Sequence, residues 1–453
     1  MRNSLPGMVL FFLLIMNIPA QCQIVFEFTG SGNFSKTINW KNGLKAPPYL
    51  LNGYEILINP TIGECILDTT TTIMPGGKLT IAPGKVFRIL KNVQVLNANG
   101  TGINAISSNE RKVLNWFNNL QLPNGLLESS DNSNFVSLYD NALSAFVFMS
   151  YNDFTRAEKI FDFFNGRLNS EFLIGNRGFY QFRDKYGNPF GNIGTGDNAW
   201  LLLALNNYKA LTGSIKYNAL NAAMEAWVRS LQDADGGIWG GFDGNNVRTG
   251  KVTEGNIDAF AAVPGYDNFH FKLLSFLKNQ RWNTTDKLLV SWPDNPPYYY
   301  ALDNHCWAYC AMEDFPVAAL TKADMYLNTK IATVIAAPVT GYCFDKDKDD
   351  VWLEGTGEMV VAFQTAGLNG QADFYLTELE KVIVTKSAVL NTAGIPYASN
   401  RATGYGNGLL WVGSDTNPAI SSGAWYLFGK HRFDPFKSAK NKNIPASDKF
   451  YTF

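Results

Sequence analysis

The feature that most constrains this chain is an alternation of two kinds of helix-forming segment, repeated six times after residue 105. One kind is amphipathic and charged on one side, over 110–120, 155–168, 215–232, 268–281, 318–328 and 373–387. Such a helix keeps one face in water. The other kind is apolar nearly all round and rich in small residues, beginning near Asp140, Asp197, Asn256, Asp303, Glu354 and Ser421. A helix apolar on every side is buried on every side. Helical repeats bury their apolar faces by stacking on neighbours, and closing six pairs into a ring removes the ends an open solenoid must cap. The expected fold is mainly α: an (α/α)6 toroid over residues 105–436, with six inner and six outer helices, and a tail over 437–453.

Connection lengths orient this ring. Inner-to-outer links are short, at 150–153, 211–213, 263–265 and 367–370, whereas outer-to-inner links run long, at 169–196, 233–255, 282–302 and 389–420. Long loops in a compact domain are usually functional. Because the helices alternate in direction, these loops share one mouth with the starts of the inner helices.

Residues 23–100 read differently. Gly, Pro, Asn and Thr are frequent, and short alternating runs such as 66–73, 78–81 and 85–89 are separated by Pro75-Gly76-Gly77 and Pro83-Gly84. This predicts a small β module of stacked turns and short strands. Trp40 is weighed there as a sugar-stacking ring against a plain structural role. Ahead of it, Arg2, the apolar run 8–16 and the small residues around Ala20 and Cys22 predict a signal peptide over 1–22. A lipid anchor at Cys22 is the weaker variant. Export to the periplasm, cell surface or medium is expected, with no membrane span, since no later stretch is long enough.

The mouth is rich in acids. Asp140, Asp197, Glu254 with Asp258, Asp303, and Glu354 with Glu358 stand on or beside the first five inner-helix starts. Acids there can be N-caps that complement the helix dipole. Five sets converging on one cavity suit chemistry better, and Glu254/Asp258 and Glu354/Glu358 each share a helical face at i, i+4. Tyr139, Trp200, Trp239, Tyr299, Tyr405 and Trp411 supply rings on or near this end. Aromatic faces beside acids and amides suit sugar rings. The net charge of −1, with both signs interspersed, gives no basic footprint for nucleic acid.

The strings Ser137-Leu138-Tyr139-Asp140-Asn141-Ala142-Leu143, Gly194-Thr195-Gly196-Asp197-Asn198-Ala199-Trp200, Thr253-Glu254-Gly255-Asn256-Ile257-Asp258-Ala259 and Trp352-Leu353-Glu354-Gly355-Thr356 resemble those of secreted bacterial six-hairpin glycosidase-like proteins. The resemblance spans about residues 105–436 and implies the toroid and a carbohydrate context. That superfamily includes hydrolases, phosphorylases, lyases and epimerases. Gly255 stands where the resemblance leads one to expect a larger polar residue such as His.

Glycoside hydrolysis needs a protonated carboxyl as acid and an ionised one as base or nucleophile. Glu254 is the candidate acid, and Asp140 or Glu354 the candidate base. Asp197, Asp258, Asp303, Tyr139, Trp200, Trp239, Tyr299 and Trp411 are the candidate substrate-binding residues, for an oligo- or polysaccharide. A non-catalytic glycan-binding protein, or a lyase or epimerase using Tyr139 or His305, are the alternatives. No basic cluster is evident to neutralise a uronate. No cofactor is expected. His305, Cys306, Cys310 and Cys343 raise the question of zinc, but a disulfide from Cys343 to Cys306 or Cys310, or buried thiols, fits an exported chain better. The acidic run Asp345–Asp350 fails the EF-hand pattern, with Asp350 at position six and Thr356 at position twelve, and reads as a solvated loop.

Overall fold

The computed structural model describes residues 24–449 apart from 52–53, 74–76, 91–92, 98–101, 104–106, 152, 386–388 and 405–406. The signal segment, Cys22, Pro75, Gly76 and Tyr405 lie outside the described residues. The chain divides into two compact units, Met1–Ile106 and Ser107–Phe453.

In the first unit, parallel strands stack in register on three faces. Ile24–Phe28, Tyr54–Ile58 and Lys78–Ile81 form one sheet, and Gly32–Asn33, Glu64–Leu67 and Val86–Ile89 a second. Tyr49–Leu50, Thr71–Ile73 and Val95–Asn97 form the third, closed by an antiparallel Gly102–Ile103. Alternation sends Phe26, Phe28, Ile56, Ile58, Cys65 and Leu67 inward. Trp40 joins them, fully buried, with its indole N–H donating to the Phe34 carbonyl at 2.8 Å. It packs this core and is not available to stack on a sugar.

The second unit is helical. Its helices are α1 (Ser108–Leu120), α2 (Leu138–Ser150), α3 (Phe154–Asn165), α4 (Thr195–Thr212), α5 (Asn218–Ser230), α6 (Thr253–Ala262), α7 (Asn268–Phe276), α8 (Asp303–Ala311), α9 (Ala318–Lys322), α10 (Leu353–Thr365), α11 (Asn369–Lys381), α12 (Ile420–His431) and α13 (Lys437–Lys440). The burial of each kind follows its sequence. In α1 the buried apolar residues are Val113, Trp116, Phe117 and Leu120, a single stripe. Its start is a capping box: Ser107 accepts from the Glu110 N–H, and Glu110 accepts from the Ser107 N–H. In α2 every residue from Asp140 to Ser150 is buried. The even-numbered helices pack in sequence, α2 on α4, α4 on α6, α6 on α8, α8 on α10 and α10 on α12, and α12 returns to α2. Small residues permit the close approaches. A Cβ on Gly357 of α10 would stand 2.7 Å from Cβ of Trp425 on α12.

Three expectations are corrected. The segment 318–328 is not one helix. It ends as a helix at Lys322, and Leu327–Ala332 pairs with Ala337–Tyr342 as a six-residue antiparallel hairpin. β-branched Thr329 and Ile331 on one strand and Val339 and Thr340 on the other, with Thr329 opposite Thr340, favour strand over helix. Residues 437–449 do not stand apart from the helices as a tail, because Ala439 and Ile444 are buried in the same core. The acidic run is solvated only in part, because Lys346 and Asp347 are exposed whereas Asp345 and Asp350 are each only 4% exposed. The described cysteines, Cys65, Cys306, Cys310 and Cys343, are buried free thiols, so the disulfide alternative gives way to the thiol one. Among the described residues no helix is long and apolar enough to cross a membrane.

Candidate functional site

A repeated device fixes where α2, α4 and α6 begin. Asn141 Oδ1 accepts from the Leu127 N–H, while its amide donates to the carbonyls of Leu127 and Ser137. Asn198 does the same with Phe179 and Gly194, and Asn256 with Ile238 and Val252. Each asparagine thus pins an incoming loop to the first turn of its helix. All three are fully or almost fully buried. Truncating one strands buried loop groups, each costing about 1–3 kcal/mol. Asn198→Ala is therefore expected to lower unfolding free energy by about 2–4 kcal/mol, read as a drop in the urea midpoint.

The pinned turns surround a cavity of about 900 Å³. Asp140, Asp197, Glu254, Asp258, Asp303, Glu354 and Glu358 all line it. They come from α2, α4, α6, α8 and α10, so five helices separated in sequence deliver acids to one space. None of them is an N-cap. Ser137 caps α2, and the residues preceding α4, α6, α8 and α10 make no side-chain cap. Asp140, Asp197, Glu254, Asp303 and Glu354 stand in first turns, where the helix dipole favours acids, but side-chain capping does not account for them.

Most of the acids have a polar partner on one oxygen only. Tyr298 Oη donates to Glu254 Oε2 at 2.9 Å, and Gln181 Nε2 donates to Asp197 Oδ2 at 2.8 Å. The Cys306 thiol donates to Glu358 Oε2 at 3.3 Å. Asp258 Oδ1, Asp303 Oδ1 and Glu358 Oε1 have no hydrogen-bond partner in the protein. Burial without compensating charge disfavours carboxylate. It pushes Glu254 up to about 7 and Asp140 up to about 7, the charge of Asp197 adding to each. Glu354 is pushed up to about 8, by burial and then by the charge of Asp140. Asp258, Asp303 and Glu358 are held well above the carboxylate range, first by burial and then by neighbouring charges, Glu254 foremost for Asp258 and Asp303 and Glu354 for Glu358. At neutral pH the cluster therefore contains both protonated and ionised carboxyls.

The aromatic lining differs in part from the sequence expectation. Tyr139 and Trp200 line the cavity. Trp200 is only 2% exposed, with its ring 5.3 Å from Tyr139, 5.2 Å from Trp307 and 5.0 Å from Phe436, so it forms the floor. Trp411 stands at the rim, 54% exposed, with its ring 4.6 Å from Tyr397. Trp239 and Tyr299 do not line the cavity. Lys251 Nζ sits 4.6 Å over the Trp239 ring, and the Trp239 carbonyl accepts from Thr195 Oγ1, so this residue braces its loop. Tyr299 packs edge-on against Tyr300 at 4.9 Å. Its neighbour Tyr298 is the one that reaches Glu254. Consecutive residues on the turn Pro296–Tyr298 point in different directions, and sequence alone does not choose among three tyrosines.

Sequence reasoning missed Trp307, Trp352 and Tyr397, which line the cavity, and Asp131 on the loop after α1. The loop from Ser129 to Ser137 had no length signal. The loops at 233–255 and 282–302 add little lining beyond Glu254. Among the described lining residues there is no Lys, Arg or His. His305 instead bonds the Ala319 carbonyl at 3.0 Å, and burial lowers it to about 4.

No family model matches the chain, and no curated relative matches it. Solved structures do. A protein described as a wild-type glycosidase superposes with a TM-score of 0.50 at 13% identity, covering 73% of this chain and 97% of its own. The fold is glycosidase-like. A sugar epimerase from a ruminal bacterium superposes at 0.51 with 12% identity, over 71% and 96% of the two chains. A D-mannose isomerase superposes at 0.52 with 12% identity, over 73% and 96%. Identities this low speak for the shared fold alone.

Proposed function

We propose that this chain is an exported carbohydrate-active enzyme, a glycoside hydrolase built on an (α/α)6 toroid with a small β module ahead of it. The observation that carries this reading is the gathering of seven carboxyls, five of them buried and Asp197 and Glu254 partly buried, none of them an N-cap, around one cavity with an aromatic floor and rim. Glu254 is the general acid. Its burial keeps a proton available near neutral pH, and Tyr298 holds one of its oxygens. Asp140 is the base, because the Ser129 hydroxyl favours its ionised form. Glu354 orients the pair, with burial and the charge of Asp140 favouring its protonated form against the hydrogen bonds from Ser421 and Tyr139. Asp197, Asp258 and Asp303 bind sugar hydroxyls. Trp200 supplies the apolar floor, and Trp411 stacks on a ring at the mouth.

The substrate is a neutral glycan. The described lining offers many acids and no cation, so a polyuronate meets repulsion with nothing to offset it. The same absence argues against a uronate lyase, which needs a cation to neutralise the acid. It also argues against isomerase chemistry routed through His305, which faces the Ala319 carbonyl.

The test is a panel of neutral and acidic polysaccharides assayed by reducing-end release. New reducing ends from a neutral polymer, with none from polyuronates, are expected. Binding without release replaces the hydrolase with a glycan-binding protein. A changed sugar without new reducing ends replaces it with an epimerase or isomerase.

A further inference from the structure

Outside the cavity, one acidic knot has no charge partner. Cys343 Sγ and carboxylate oxygens of Asp347 and Asp349 lie within 4.8 Å of one another. Asp347 Oδ2 takes Thr403 Oγ1 at 3.1 Å, and Asp349 Oδ2 contacts that same hydroxyl while accepting from the Thr403 N–H at 2.6 Å. A hydroxyl has one proton to donate, so it can satisfy only one of the two carboxylates.

The second observation lies beneath this pair. Asp350 is 4% exposed, its carboxyl lies against the Cys343 thiol, and its Oδ1 is buried with no hydrogen-bond partner. Asp349 Oδ1 is buried and unpartnered in the same way. Asp345, equally buried, accepts from the Asp347 N–H on its Oδ1, and its carboxyl lies against that of Asp347. Among the described residues no Lys, Arg or His forms an ion pair with any of these four acids, although Lys346 and Lys348 lie in the same loop. Buried charges without partners or a metal are costly.

We propose that Asp345, Asp347, Asp349 and Asp350 bind one divalent cation of the calcium class. Hard oxygen donors predominate, which suits calcium over zinc, and burial keeps Cys343, whose Sγ lies among them, a protonated thiol and so a poor ligand. The spacing departs from an EF-hand, and the loop gains its frame from elsewhere in the chain. Asn400 Nδ2 donates to the Asp349 carbonyl at 2.9 Å, Asn328 Nδ2 to the Asp350 carbonyl at 3.0 Å, and the Val351 N–H donates to Ser399 Oγ at 2.9 Å. Two residues beyond Asp350 the chain reaches Trp352 and then Glu354, both in the cavity wall. The cation therefore acts as a brace for one wall of the cavity, and its existence does not depend on the sugar chemistry.

The experiment is calorimetric titration of calcium chloride into the chelator-stripped full chain, with melting curves in parallel. One site per chain and a calcium-dependent rise in Tm are expected. Asp347 is exposed, so Asp347→Asn keeps the fold, and it is expected to weaken calcium binding at least tenfold and cancel the rise in Tm. Glu254→Gln is expected to bind calcium as the wild type does. No calcium binding, zinc binding in its place, affinity unchanged in Asp347→Asn, or affinity lost in Glu254→Gln each overturns the proposal.

Discussion

Glu254→Gln is expected to lower kcat/KM on the cleaved glycan by about a thousandfold, the scale of losing a positioned general acid, while leaving the melting temperature intact or raised. The amide keeps the shape of the carboxyl and can still accept from the Tyr298 hydroxyl. What it loses is the proton that the leaving oxygen needs. The pH profile carries the sharper reading. Glu254 must be protonated to act, and burial pushes it up to about 7, so wild-type activity falls as the pH rises through that value. Residual activity in the variant no longer shows that fall. Reducing-end kinetics across pH check both parts. Activity within tenfold of wild type, with the alkaline limb preserved, removes Glu254 from the mechanism.

Thermal stability is expected to fall as the pH rises from about 5 to about 8. The sign follows from the direction of the shifts. Asp140, Glu254 and Glu354 are raised to about 7, 7 and 8 in the folded protein, and Asp258, Asp303 and Glu358 lie well above their usual range. Across this window the folded state holds protons that the unfolded chain has released. Stability is therefore fully present below the unfolded values and is lost as the pH climbs toward the folded ones. Each extra proton held costs about 1.4 kcal/mol per pH unit. Glu358→Gln removes one contributor, and its amide oxygen still accepts from the Cys306 thiol. Its Tm is expected to decline less steeply and to exceed the wild-type value at the alkaline end. Parallel slopes for the two proteins, or a wild-type Tm that rises with pH, contradict the view that these acids are buried together.

The sequence was informative where one face of one segment carries the information. The stripe of α1 and the all-round apolarity of α2 are local patterns, and each helix is buried as its pattern requires. The turn motifs held a further signal that was only half read. In Asp140-Asn141 and Asp197-Asn198 the acid faces the cavity, while the asparagine clamps the loop. A repeated Asp-Asn pair was visible, yet nothing local tells which member meets solvent-filled space and which meets backbone. The hairpin after α9 was missed because a short alternating run reads equally as a helix end.

The sequence by itself determined which segments become buried or half-buried helices, and which acids stand at their starts, because burial pattern and chain direction are properties of a few adjacent turns. Tertiary structure alone decided that Tyr298 and not Tyr299 reaches Glu254, that Trp239 braces a loop, and that the cavity carboxyls hold protons. Those outcomes depend on desolvation and on charges from helices far apart in the chain, and such fields exist only once the helices have packed.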